Sequence, residues 1–362
     1  MSLYSDSGEV RKIQFTGKST YVLSLPKKWV SELNLKPGDP VTILRESDNT
    51  LSIISDITRT SKESVDEATV LVLKEDSGNS IKRKIVSMYL AGYNIINLKS
   101  KLGRINTLQR EAAREIVRRS LVGTEIIADS ADVITIQVLI TLPELSVNTA
   151  VRRMFLLSAS MHRDAMHSLT ELNYELANAV IRSDDEVDRF SLYILRNLVI
   201  ATKNDRVLSE IGLKNTSDCL SYRLAVKSIE RIADHASKIS EKCLSIKSKI
   251  PSEILENVRN MSNQSLQDLS DSVEAFLRRD YLMADKIVDR VENVRLLEDR
   301  IIDLLDKLSD KEFTPYKVYI KLLLEDLRRT AEHASDIAEE ALNQTIGEVI
   351  TIEKRPSNYK IL

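Results

Sequence analysis

The chain has 362 residues, in which 52 Lys and Arg nearly cancel 54 Asp and Glu, giving a formal net charge of −2. Hydrophobic residues make up 43% of it and aromatic residues only 5%, with 9 glycines and 7 prolines. So few breakers among so many charges and aliphatics exclude collagen-like, disordered and all-β chains, and point to a mainly helical protein of two or three domains. Near-neutrality also excludes whole-molecule attraction to nucleic-acid phosphate and leaves only a local basic face.

The first ten residues carry neither a basic stretch nor an apolar core of the signal-peptide kind. The longest apolar run, 133–143, is interrupted by Gln137 and falls short of the ~20 residues of a membrane span. No membrane insertion is expected. Cys219 and Cys243 stand apart, with no paired spacing and no histidine cluster. They read as reduced, half-buried helix residues of a cytoplasmic protein.

Residues 1–57 form the first part. The run from Gln14 to Leu25 predicts two short strands around a Gly17-Lys18-Ser19 turn, and Pro26 opens a helix over 27–33. Lys36-Pro37-Gly38-Asp39 is a turn, followed by strands over 41–44 and 51–54 joined by 47–50. About 45 residues of two hairpins and one helix are too few to bury a core, so a partner chain is expected. Residues 66–142 form the second part, with strands over 69–73, 94–98, 124–128 and 133–139 and helices over 81–91 and 107–120. The order βαβαββ predicts a small α/β sandwich.

From 145 onward the pattern is helical. Breaks are expected near Ser183-Asp184, Gly212 to Asp218, Ile250-Pro251, Asp280 and Phe313-Thr314-Pro315, giving six helices in two sets of three. Short connections make these tandem antiparallel three-helix bundles, over 145–249 and 251–346, with a tail over 347–362. An internal repeat supports the halves: Glu230 to Ser237 is echoed by Arg328 to Ser335, at an offset of 98, and 177–181 more loosely by 284–288.

In the first bundle, Asp184/Asp188 and Glu230/Asp234 are spaced by four, which stacks each pair one turn apart on a helix face. Like charges so placed repel. Two readings are open: a cation held by four carboxylates from neighbouring helices, or a solvated surface with Asp184 at a helix start. Glu230 and Asp234 lie opposite the apolar stripe of their helix (Ile229, Ile232, Ala236, Ile239), so the site is expected on the surface. In the second bundle the matching positions are Val291, Arg295, Arg328 and Glu332. Arginine repels a cation, so ion pairs of Arg295 and Arg328 with Glu332, Glu292 or Glu325 are expected there, and one metal site per chain. His235 and His333 point away from the neighbouring acids and read as interhelix hydrogen-bonding residues.

No dinucleotide, Walker, His-Glu-x-x-His or Gly-x-Ser-x-Gly motif is present, and with four histidines the chain reads as a non-enzyme. Arg11, Lys12, Lys18, Lys27 and Lys28, with Ser19 in the turn, give the first hairpin and helix a basic excess. Doubled across two chains, this patch would meet DNA; the alternative is strand-edge lysines that block aggregation.

Residues 11–55, with Thr20-Tyr21-Val22-Leu23-Ser24-Leu25-Pro26-Lys27-Lys28-Trp29 and Leu35-Lys36-Pro37-Gly38-Asp39, resemble the SpoVT/AbrB swapped-hairpin domain. That resemblance implies two chains interlocked through their hairpins, often on DNA. The helical half, with Asp184/Asp188 and Glu230-Arg231-Ile232-Ala233-Asp234-His235, resembles the PhoU family, which implies surface metal clusters on E/D-x-x-x-D motifs. The combination is similar to archaeal phosphate uptake regulators. It implies a cytoplasmic, homodimeric, DNA-binding transcriptional regulator of phosphate homeostasis, with a divalent or ferric ion (Fe, Zn, Mg or Mn) in the first bundle only. The alternative is an adaptor that docks on a phosphate transporter or signalling kinase and uses its N-terminal domain only to dimerise.

Overall fold

The computed structural model describes residues 9–17, 20–45, 51–55, 67–101, 103–140, 145–307 and 316–350. The chain forms two compact units, Met1–Val65 and Asp66–Leu362.

In the first unit, β1 (Gln14–Thr16) pairs antiparallel with β2 (Thr20–Val22), placing Phe15 opposite Tyr21 across a turn in which Gly17 adopts φ +69°. A second hairpin pairs β3 (Val41–Arg45) with β4 (Leu51–Ser55), Ile43 opposite Ile53, and the two hairpins form separate sheets. Between them lies α1 (Lys27–Glu32). Pro26 caps this helix from outside rather than opening its first turn, because its extended ψ of 132° aims its carbonyl at the Val30 N–H, 3.1 Å away. Among the described side chains of this unit only Pro26 is buried. Phe15, Tyr21 and Leu51 are more than half exposed. Leu25, Trp29, Leu33, Leu35, Val41 and Ile53 line an open groove of about 270 Å³. The strands and helix form where the alternation of residues predicts, yet among the described residues their apolar side chains stay largely exposed, Phe15 meeting only the Tyr21 ring at 5.1 Å.

The second unit begins with the α/β layer. Its strands β5 (Glu67–Val72), β6 (Ile95–Ser100), β7 (Thr124–Asp129) and β8 (Val133–Val138) are ordered β5-β6-β8-β7. The β5–β6 pair is parallel, with α2 (Gly78–Leu90) as crossover, and the other pairs are antiparallel. With α3 (Thr107–Arg119), this is the βαβαββ order expected. Alternate residues Ile96, Leu98, Ile134 and Ile136 are fully buried, in one core with Ile85 and Val117 of the helices. Asn106 and Gln109 close α3 with a reciprocal capping box.

The helices that follow are α4 (Val147–Glu171), α5 (Tyr174–Ala201), the short α6 (Asp205–Glu210) and α7 (Asp218–Ser245). The second set is α8 (Ser252–Arg278), α9 (Tyr281–Val288), α10 (Val291–Lys307) and α11 (Tyr316–Val349). The break expected at Ser183-Asp184 is absent. The α5 helix runs through it, with the Ser183 hydroxyl donating back to the Ala179 carbonyl at 3.0 Å. The break falls at Leu172, which turns left-handed at φ +52°, followed by Asn173, whose Oδ1 accepts the Leu176 N–H at 3.0 Å. The second bundle copies this device, with Arg279 at φ +58° and Asp280 capping Met283. A further break, at 289–290, splits its middle helix. The breaks at Gly212, Pro251 and Asp280 stand where expected, whereas the one near Pro315 lies outside the described residues.

The repeat extends to side chains. Ser158 donates to the Ile229 carbonyl at 3.4 Å, and Ser265 to the Leu327 carbonyl at 3.1 Å. The serines are 107 residues apart and the carbonyls 98. The inserted α6 and its connections account for the difference.

The α/β layer and the two bundles lie in one compact unit. Buried Arg196 of α5 joins two of them. Its guanidinium donates to the Tyr89 carbonyl, to the Gly92 carbonyl (3.1 Å) and to Asn94 Oδ1 (2.7 Å), and it stands 4.8 Å from the Tyr89 ring centre. Gly92 sits at φ +100°, and a Cβ there would press to 3.2 Å from Ile200. Arg196→Met is expected to remove three hydrogen bonds from this buried junction and to lower unfolding free energy by about 2–4 kcal/mol. Urea denaturation monitored by circular dichroism checks this, and an unchanged midpoint would remove the clamp.

Candidate metal centre and basic hairpin

Asp184 and Asp188 project from α5, and Glu230 and Asp234 from α7, two helices of one bundle. The structure brings the four into one electrostatic neighbourhood. Burial pushes the Asp184 carboxyl up to about 7, helped by the charges of Asp234, Asp188 and Glu230. Burial likewise raises Asp188 to about 6, with Glu230 and Asp234 adding to it and Lys227 opposing. Lys227 also pairs with Glu230. All four residues are half-buried rather than surface groups. The α5 and α7 helices pack together, and α7 is buried on nearly all sides, Val226, Ala233 and Ser237 beside the acids included.

Among the described residues no three His, Cys, Asp or Glu side chains converge into a ready-made metal cage. The donor chemistry nevertheless fits a cation: four carboxylates, hard oxygen ligands, hold each other's negative charge in a half-desolvated place. A bound cation would relieve that repulsion.

The matching place in the second bundle is occupied by protein charge. Glu332 receives Arg328 at 2.5 Å, Arg329 at 2.6 Å and Arg295 at 3.6 Å. Arg295 also reaches Glu292 (3.5 Å), and Glu298 rather than Glu325 completes the network, 3.1 Å from Arg328 Nε. Burial works to raise the Glu332 carboxyl, but hydrogen bonds from Arg329 and Arg328 hold it below the usual carboxylate range. His235 bonds across helices to Asp326 (2.9 Å), as expected, whereas His333 bonds Asp336 (3.0 Å) one turn along its own helix; the two rings stack at 5.7 Å. Cys219 and Cys243 are free and fully buried, beyond the half-burial expected.

Of the basic residues of the first unit, Arg11, Lys12, Lys27 and Lys28 are exposed. Arg11 pairs with Glu9, and Lys28 approaches Glu32 at 3.9 Å. Lys18 and Ser19 lie outside the described residues. Sequence reading missed Arg196, Asp326 and the buried pair His162–Ser262 (2.8 Å), because their partners lie 84 to 107 residues away.

In chain order a double hairpin, an α/β layer and two tandem three-helix bundles, this architecture is similar to that of PhoU-like proteins, with an AbrB-like N-terminal unit. The PhoU domain model matches residues 151–243 and 258–341, and the model for the bacterial antitoxin MazE matches 14–57. The chain is 29% identical over 202 residues to the phosphate-specific transport system accessory protein PhoU homolog 1 of Thermotoga maritima, covering 53% of this chain and 82% of that one. To the homolog of Aquifex aeolicus it is 26% identical over 176 residues, covering 48% and 72%. The crystal structure of the phosphate transport system regulatory protein PhoU from Streptococcus pneumoniae aligns at 20% identity with a TM-score of 0.49, over 57% of this chain and 96% of that one.

A carboxyl whose folded pKa is raised binds its proton more readily in the folded state, so it favours folding most below its unfolded value near 4. That contribution is lost as pH rises through about 7 for Asp184. In metal-free buffer, thermal stability is therefore expected to fall as pH rises from 4 to 7, and Asp184→Asn to flatten that slope. Equal slopes in calorimetric melts of both proteins would contradict the grouping of the four acids.

Proposed function

We propose that this chain is a homodimeric regulator of phosphate uptake in the cytoplasm. Its AbrB-like unit dimerises and binds DNA, and its first PhoU-like bundle holds a metal ion. The observation that carries the reading is the N-terminal unit, whose apolar side chains have no core to enter within one chain and whose Arg11, Lys12, Lys27 and Lys28 stand exposed beside them. A second copy would cover the apolar faces and double the basic one. Phosphate enters through the relatives, which are named as accessory proteins of phosphate-specific transport.

The metal, Fe, Zn, Mg or Mn, would be held by Asp184, Asp188, Glu230 and Asp234. The ion pairs at Glu332 leave no corresponding place in the second bundle. Metal quantitation on the purified chain is expected to find about one ion per protomer at saturation, lost in a D184N/D234N double variant. Two occupied sites per chain would refute the single-site reading.

The accessory role named for the relatives favours a second reading, an adaptor that docks on a phosphate transporter or its signalling kinase and uses the N-terminal unit only to dimerise. Light scattering should show a dimer under either reading, and Trp29→Asp should shift it toward monomer. Binding to DNA from upstream of phosphate-uptake genes separates the two. The regulator reading expects affinity that falls at least about tenfold between 50 and 200 mM salt. An intact dimer with no binding at the lower salt decides for the adaptor.

A further inference from the structure

Neither the α/β layer nor the arginines at its junction with the first bundle enter the reading above. Between the end of α3, the α3–β7 turn and α5 lies an open cleft of about 610 Å³, well within the range of small-molecule sites. Val117, Leu121 and Ile126 give it an apolar floor, and the guanidinium groups of Arg114, Arg118 and Arg189 rim it. Two acids share the cleft. Asp129 is already paired with Arg110 and, at 2.7 Å, with Arg114. Glu125 is exposed at the rim.

The other two arginines have donors to spare. Arg118 is exposed and makes no ion pair among the described residues. Arg189 reaches Glu186 through Nη1 at 3.3 Å, while its Nε is buried with no hydrogen-bond partner. A buried N–H without an acceptor is costly, and a guanidinium presents its donors in a fork that matches tetrahedral oxyanions. Arg189 also lines an adjoining cavity of about 240 Å³, whose walls include Val122, Ile140, Phe190 and Tyr193. An anion-seeking end and an aromatic-walled end thus meet at one residue. Gly123 lies in the wall of the cleft at φ +67°, where a Cβ would come within 2.5 Å of Ile140, so the turn between the two cavities admits only glycine.

We propose that this junction binds a nucleotide, its phosphate on Arg118 and Arg189 and its base against Phe190 and Tyr193. A phosphate ester supplies acceptors for the orphaned donors, and a planar ring suits a small cavity walled by two aromatics.

Isothermal titration of the full-length chain, in chelator so that the metal reading has no bearing on the outcome, tests the proposal with AMP, GMP, ATP and inorganic phosphate as probes. Saturable binding of at least one nucleotide, one per chain and tighter than inorganic phosphate, is expected. Arg118→Ala and Arg189→Gln should each weaken it by about tenfold or more. Arg118 is exposed, so its variant should melt at the wild-type temperature and separate lost binding from lost fold. No saturable binding by any of the nucleotides, inorganic phosphate binding equally well, or nucleotide binding indifferent to both substitutions would each overturn the proposal.

Discussion

The arrangement of the second unit depends on one buried carboxylate. Asp326, on the third helix of the second bundle, is only 5% exposed and is held by His235 at 2.9 Å and Lys242 at 2.5 Å, both from the third helix of the first. A buried charge left unpaired would cost several kcal/mol, so α7 and α11 can meet only where this network closes. The stack of His235 on His333, repeat counterparts of one another, lies beside it. A second cross-bundle contact, His162 to Ser262, is neutral: burial pushes the His162 imidazole down to about 4, so it enters as a hydrogen-bonding group without charge. Together these contacts fix the register of two bundles whose cores are otherwise built of interchangeable aliphatic side chains.

Much of this was legible in the sequence because it is local. Alternation located all four strands of the α/β layer, and the offset repeat located both bundles. The helix break placed at Ser183-Asp184 failed for a physical reason. Serine and aspartate favour helix starts when a start is needed, but a serine can also turn its hydroxyl onto the preceding turn and stay within a helix. The actual break needed a left-handed leucine, a conformation with no signature in residue type. Spacing pairs Asp184 with Asp188 and Glu230 with Asp234 but says nothing of their half-burial, because a single helix wheel does not show what the neighbouring helix covers. Arg196 and Asp326 were illegible for the same reason: each is defined by partners 84 to 107 residues away.

The two bundles solve the same steric problem with opposite electrostatics. Where the first gathers four acids, two of them lifted well above the ordinary carboxylate range by burial and then by their neighbours' charge, the second surrounds Glu332 with three arginines. The backbone frame is shared, down to the serine-to-carbonyl bonds of Ser158 and Ser265. The difference is therefore one of side-chain charge on a common scaffold. In the first bundle Lys227 is the cation paired with these acids, through Glu230, whereas in the second Glu332 is ringed by Arg295, Arg328 and Arg329.

The open hairpins of the first unit carry a consequence of a different kind. A segment that exposes Phe15, Tyr21 and Trp29 has little folding free energy of its own to resist dilution. If such a segment is completed only by a second chain, its order becomes a bimolecular quantity, and each tenfold fall in chain concentration removes about 1.4 kcal/mol from the paired state. The helical unit has a large buried core within one chain. The cellular amount of this protein would then set how much of its N-terminal unit is assembled, while leaving the bundles it is joined to unchanged.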